Sequence, residues 1–240
     1  MVSVMLLSMA ISPTQPSLCH DLDVGSLYMS ESAVDDLIIY YEVGGKKSYI
    51  RNYQTPQVPA WKTTSSGVTV GIGVDLGHMS KTSIQKTFQN IISQKQIDSL
   101  KSASGYKGQK AYYVALPKVK YTVNIDWESA HRILIDRTLP TYSKRTSDAF
   151  GITKTQLHGD LNGALISLVY NRGSSMRGSS RREMREIRDD IYKKDYSQIG
   201  NHIRSMKRLW SYSSLKGLHL RRDKEAMFAD RSFDSFQKNK

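Results

Sequence analysis

Apolar residues recur along this chain with two different periods, and the changes of period divide it into parts. Between residues 32 and 41, Val34, Leu37, Ile38 and Tyr41 fall on one face at helical spacing, which predicts an amphipathic helix. Ser32 followed by Asp35 supplies a capping signature at its start, and Gly44-Gly45 a stop. Glu42 then stands at the C-terminal end of that helix, where a carboxylate can project into a cleft. Over residues 48–53 and 68–74 the pattern shortens to strand-like runs, with Pro56, Pro59 and Trp61 between them, and together these predict a small hairpin-rich sheet. Gly67, Gly71, Gly73 and Gly77 mark its turns, bulges or close backbone approaches.

After His78 the helical period returns. Ile84, Phe88 and Ile91 share one face; Tyr112, Val114 and Leu116 predict a helix ended by Pro117; residues 127–139 follow an Asp126 cap and end at Pro140. Residues 156–170 carry the strongest apolar face, through Leu157, Leu161, Ala164, Leu165, Leu168 and Val169, and are the expected central buried helix, ended by Asn171-Arg172-Gly173. Basic amphipathic segments around 182–192, 196–209 and 218–228 complete the chain, with no internal repeat and no long low-complexity tract. The expected class is α+β: a small N-terminal β-sheet or hairpin subdomain, then a mainly helical lobe around the central helix.

A chain of 240 residues can bury a sizeable core in one domain. The single cysteine, Cys19, excludes an internal disulfide framework and a cysteine zinc site. The formal net charge of +13 is uneven: residues 1–36 hold no Lys or Arg, while residues 177–240 are rich in both. Such a field attracts polyanions, whether nucleic acid, an anionic membrane or acidic wall polymers, and serves equally as a solvated surface. Residues 1–12 form an apolar run of signal-peptide length, too short to span a membrane and without a basic flank. Residues 1–29 therefore read as leader and linker, the acidic, small-residue stretch 20–30 being the linker, and residues 30–240 as one domain. No later segment approaches transmembrane length.

Two carboxyl groups facing each other across a cleft are what glycosidic hydrolysis requires, one to protonate the leaving oxygen and one to activate water or attack the sugar. Glu42, at the negative end of a helix dipole, suits the proton donor. Asp75, after the glycine-rich strand, suits the ionised partner, and the Thr69 hydroxyl, able to donate and accept, suits the holding of a water. Each also has an ordinary structural reading: a solvated helix end, a turn residue and a strand former. Gly71-Ile72-Gly73 as a nucleotide-binding loop lacks the strand-turn-helix unit that loop requires. His131, His158, His202 and His219 show no metal-ligand spacing.

Four motifs in one order give these residues a context. Tyr41-Glu42-Val43-Gly44-Gly45, Gly67-Val68-Thr69-Val70-Gly71-Ile72-Gly73 with Asp75-Leu76-Gly77-His78, residues 165–173 and residues 217–226 together resemble the phage-type lysozyme superfamily, most closely its pesticin-like branch. The resemblance implies a lysozyme-like fold and a muramidase that cleaves the β-1,4 bond between N-acetylmuramic acid and N-acetylglucosamine without metal or cofactor. It implies Glu42 as general acid and Thr69 as the family's strand threonine. Many phage lysozymes place an Asp before that threonine and a His after the Gly-Ile-Gly; here Lys62 and Thr63 stand near the first place and Val74 fills the second. The pesticin-like pattern instead sets the Asp six positions after the threonine, where Asp75 stands. The expected outcome is inversion, with Asp75 and Thr69 directing water.

His78, Asn171 and Arg222 are secondary candidates for sugar contact, Asn171 more readily as a structural cap. The resemblance implies Arg221 or Arg222 as a partner of Glu42, with pairing along the helix surface as the equal alternative. Tyr53 and Trp61 suit stacking on sugar rings or core packing. The expected partners are bacterial peptidoglycan and an immunity protein, with no nucleic acid, no transmembrane segment and a monomeric state. The expected place of action is the bacterial periplasm or wall, reached by secretion or delivery. A catalytically silent, basic lysozyme-like protein that binds wall polymers or nucleic acid is the alternative. Failure of wild-type protein to clear a wall suspension, with salt-sensitive binding retained, marks that alternative.

Overall fold

A computed structural model describes residues 21–59, 62 and 65–238. The apolar run 1–12, Cys19, Trp61 and Thr63 lie outside these described residues. The molecule is mainly helical, with two separate two-stranded antiparallel ladders.

The central helix, Gly159–Arg172, begins where the His158 ring accepts the Asp160 N–H at 3.2 Å and ends at Gly173. Every residue from Gly159 to Val169 is buried, so the helix is wrapped on all sides. Leu161, Leu165, Ile166, Leu168 and Val169 each withdraw a side chain from water there, worth roughly 1.5–3 kcal/mol apiece. The elements packed against it are an N-terminal hairpin, the first helix, the segment Leu139–Phe150 and the C-terminal helix Tyr212–Lys238. That last helix is broken once, at Leu215, where the backbone is non-helical. Arg182–Lys193 and Ile199–Ser205 form the other two basic segments as helices.

The hairpin pairs β1 (Asp21–Asp23) with β2 (Tyr28–Ser30), Leu22 opposite Met29. This corrects the linker expected over residues 20–30. Acidic residues mask three fully buried apolar side chains there, Val24, Leu27 and Met29. The buried Asp160 carboxylate anchors the hairpin, accepting from Ser30 Oγ at 2.5 Å and from Arg231 Nε at 2.7 Å. One central-helix side chain thus ties together the hairpin and the C-terminal helix.

The first helix runs through Glu31–Ala33, widens over Val34–Ile39 and closes at Tyr40–Val43. Its N-cap is Ser30 rather than Ser32, the Ser30 Oγ accepting the Ala33 N–H at 3.3 Å. Gly44, in the left-handed region, stops it. The run at 48–53 predicts a strand, but the chain there is the helix Lys46–Asn52, whose buried Tyr49 donates to the Ile125 carbonyl at 2.8 Å. Six residues are too few for periodicity to decide between the two. The second ladder pairs β3 (Thr69–Val70) with β4 (Val74–Asp75). Beyond it, Lys81–Phe88 and Gln94–Lys101 bury Ile84, Phe88, Ile97 and Leu100 as short amphipathic helices.

Two prolines expected to end helices lie inside them. Gly108–Lys110, Ala111–Ala115 and Leu116–Val119 follow one another without a break, as do Trp127–Ile133, Leu134–Thr138 and Leu139–Phe150. In each, a widened i→i+5 turn precedes a Leu-Pro pair: the Leu116 N–H reaches the Ala111 carbonyl, and the Leu139 N–H reaches that of Leu134. A helical proline lacks a donor and clashes with the carbonyl four residues back, and the wider turn relieves the clash. The first of these helices also buries a different face from the expected one, Ala111, Ala115 and Val119, leaving Tyr112 and Val114 exposed. The Asp126 cap is present, its Oδ1 accepting the Ser129 N–H at 2.7 Å. Among the described residues no helix is long and apolar enough to cross a membrane.

The first helix and the central helix approach so closely that a Cβ added at Gly163 would stand 2.3 Å from the Ala33 Cβ. Alanine gains about 1 kcal/mol over glycine in helix propensity, whereas overpacking costs about 1–3 kcal/mol. Gly163→Ala is therefore expected to lower the urea midpoint, by on the order of 1–2 kcal/mol in stability. An unchanged or raised midpoint would show that the two helices separate freely.

Candidate functional site

Glu42 lies in the last turn of the first helix, its side chain 23% exposed. Arg221 of the C-terminal helix holds it, Nη1 donating to Glu42 Oε1 at 2.9 Å. The same guanidinium, only 4% exposed, donates to Ser167 Oγ from Nε at 3.3 Å and from Nη2 at 3.1 Å. It also donates to the Leu37 carbonyl and to Glu225 Oε1, both at 3.3 Å. Ser167 Oγ in turn donates to Glu225 Oε1 at 2.7 Å. Three helices therefore meet on one cation.

Of the two arginines the sequence offers to Glu42, Arg221 is the one that reaches it. Arg222 is a correction: its side chain is 0% exposed, so it is not placed for contact with a substrate. It donates to Glu225 Oε1 at 2.8 Å and to Asn171 Oδ1 at 3.3 Å, with its guanidinium 5.8 Å from the centre of the Trp210 ring. Asn171 thus has a structural partner and does not line the cleft that contains Asp75. Tyr53 packs against the core and is likewise absent from the cleft lining.

The glycine-rich segment brings the second ladder up against Glu42. Gly73 has φ +77°, and a Cβ there would stand 2.6 Å from the Tyr170 hydroxyl and 3.2 Å from Glu42 Oε2. Only glycine permits both the backbone and the approach. Tyr170 donates to the Ile72 carbonyl at 3.2 Å and packs its ring 4.4 Å from that of Tyr142. At the other end of the ladder Gly67 and Gly77 meet backbone to backbone, and Asp75 Oδ1 accepts the N–H of both, at 3.0 and 2.8 Å. Asp75 is thus a turn residue and a cleft residue at once: Oδ1 is spent on the backbone, and Oδ2 is 3.9 Å from His78 Nε2. Thr69 stands directly opposite Asp75 in the ladder, its hydroxyl donating weakly to the Gly67 carbonyl at 3.4 Å.

Asp75, His78, Tyr142 and Tyr170 line a cleft of roughly 530 Å³, with Arg137 and Arg145 on the same lining. Tyr142 senses both candidate carboxylates: burial raises its hydroxyl pKa first, and the charges of Glu42 and Asp75 both push the same way. Tyr170 is raised well above the usual phenol value, by burial and then by Glu42. The structure therefore puts Asp75 and His78 on the cleft lining, while Glu42 and Thr69 are off it, Glu42 reaching Gly73 of the lining and Thr69 pairing opposite Asp75; Asn171 and Arg222 pair with each other away from it. Sequence reasoning misses Tyr142 and Arg145 because they follow Pro140, and Tyr170 because it closes an otherwise apolar helix. Ser167 and Glu225 are missed as polar residues inside apolar or charged runs; the Arg221 to Glu225 spacing of four is the signal that could have found the latter.

Arg221→Ala would leave Glu225 buried with less compensation and Glu42 unheld, and is expected to cost about 3–5 kcal/mol in denaturant unfolding. A loss under about 1 kcal/mol, as for a surface pair, would contradict the network. Burial, then the charge of Glu225, pushes the Tyr41 hydroxyl up to about 12. In the unfolded chain it ionises near ~10, so its contribution is fully present below that pH and is lost as pH rises towards the folded value. Unfolding free energy is expected to fall through this alkaline window and to fall less steeply in Tyr41→Phe; an identical slope in the variant would remove Tyr41 as a cause.

Residues 39–213 match the family described as Domain of unknown function (DUF8812). The matched stretch contains Glu42, Thr69, Asp75 and the whole central helix, while Arg221 and Glu225 lie past its end. No curated protein matches the chain. With more than half of its length matched, the chain belongs to the DUF8812 family.

Proposed function

We propose that this protein is a peptidoglycan muramidase with a lysozyme-like fold, acting on the bacterial wall after secretion or delivery to the periplasm. One arrangement carries the reading: a helix-terminal glutamate, clamped by a buried arginine, abuts the turn of a hairpin whose next residues present an aspartate to a cleft. Glycosidic hydrolysis asks for such a pair of carboxyl groups. Glu42 donates its proton to the glycosidic oxygen, and Arg221 stabilises the carboxylate left behind. The Gly67 and Gly77 N–H groups fix Asp75 through Oδ1 so that Oδ2 can orient a water and take its proton as it attacks. Thr69 exchanges its long bond to the Gly67 carbonyl for that water. Attack from the face opposite the leaving group gives inversion. The four ordered motifs support the same reading, as does a net charge of +13 for a protein that works among anionic polymers.

Purified peptidoglycan digested with wild-type protein should yield fragments with reducing-end muramic acid. Glu42→Gln should lower the rate by about 10²–10⁴-fold while the protein stays folded, with a lowered melting temperature because buried Arg221 loses one of its two carboxylates. Full activity in Glu42→Gln would sink the assignment. Anhydro-muramic ends would make the protein a lytic transglycosylase, and binding without cleavage would make it a wall-binding protein.

A further inference from the structure

The cleft has a second wall with chemistry of its own. Arg137, Thr141 and Arg145 recur every fourth residue along the helical stretch that includes Leu139–Phe150, and all three line the same cleft as Asp75. The acids nearest them in sequence are engaged elsewhere: Asp136 pairs with Arg132 at 3.4 Å and Asp148 with Lys144 at 2.9 Å. Among the described residues, Arg137 and Arg145 have no carboxylate within ion-pair distance. The Arg145 guanidinium lies 5.2 Å from the centre of the Tyr142 ring, which holds it on the cleft side. Across the cleft, Asp75 already has two backbone N–H groups on one oxygen.

We propose that Arg137 and Arg145 form an anion subsite that binds the carboxylates of the acidic peptide stem carried by the glycan. The proposal rests on the muramidase reading and adds which part of the substrate the cleft recognises. Eight residues of helix separate the two arginines by roughly 12 Å, and an extended peptide covers that distance in three or four residues at about 3.3–3.6 Å each. A tetrapeptide is therefore long enough to bring one carboxylate to each arginine. A guanidinium binds a carboxylate through a planar fork, which lysine cannot reproduce. Both arginines are exposed, so their charges remain solvated until a ligand arrives.

The test compares wild type with Arg137→Ala/Arg145→Ala on two substrates, stem-bearing peptidoglycan and the same glycan stripped of its stems by an amidase. The variant should lose at least about tenfold in kcat/KM on the first and change little on the second. Arg137→Lys/Arg145→Lys should recover part of the loss. Equal losses on both substrates, or none on stem-bearing material, would overturn the subsite. A second arm needs no activity: titration of isotope-labelled protein with a synthetic stem tetrapeptide should shift the Arg137 and Arg145 side-chain signals. The fully amidated tetrapeptide should not shift them. If wild type cleaves neither glycan, the muramidase reading fails, and the peptide titration alone decides the subsite. Absence of shifts with the free acid refutes it.

Discussion

Arg221 carries its charge where water barely reaches, so the protein itself has to answer it. The guanidinium is met by Glu42, Glu225, the Ser167 hydroxyl and the Leu37 carbonyl, which belong to the first, central and C-terminal helices. Taking such a cation out of water costs several kcal/mol unless the geometry around it is nearly complete. A shift in any of the three helices would uncover part of that cost, so the network acts as a gauge of their relative placement. Hydrophobic packing around the central helix supplies bulk stability but tolerates sliding. The polar cluster does not tolerate it, and the Glu42 carboxylate it holds reaches Gly73, a residue of the cleft lining.

The second ladder depends on that placement. Its turn reaches Glu42 and Tyr170 only because Gly73 presents no side chain, and its base closes only because Gly67 and Gly77 let two backbones touch. Asp75 then bridges the base with one oxygen. A residue that stabilises its own loop in this way enters the cleft with its side chain already ordered, which reduces the conformational entropy lost when anything binds beside it.

What could be read from the sequence follows the strength of each local signal. The central helix, its Gly173 stop and the Asp126 cap were legible because an apolar face or a capping side chain states them within a few residues. That Glu42 ends a helix, and that Thr69 and Asp75 flank one glycine-rich turn, was legible because glycines punctuate both segments. The hairpin at Asp21–Asp23 and Tyr28–Ser30 was not, since its stability comes from the central helix and from Asp160, over a hundred residues away. The choice of Arg221 over its neighbour Arg222 was equally closed to inspection, because adjacent helical residues point about 100° apart and only packing decides which is inward. Tyr142 and Arg145 were lost to a sound rule with a local exception, the proline that a widened turn accommodates.

That exception leaves a trace in the spacing of buried residues. In the long helical stretch the buried positions run Ala130, the adjacent pair Ile133 and Leu134, and then Leu139, Ser143, Thr146, Phe150: an interval of five separates Leu134 from Leu139, where an ordinary helix would step three or four. The interval acts as a phase shift of one residue, so a single helical wheel cannot describe the whole rod. Its first half turns one set of residues towards the pocket of Glu128, His131 and Asp136, and its second half turns Thr141, Tyr142 and Arg145 towards the cleft. Deleting one residue from the widened turn would make that interval an ordinary four, so the buried face and the cleft wall would keep their directions. What would be lost is the room the wider turn gives Pro140, and the strain would fall on the proline.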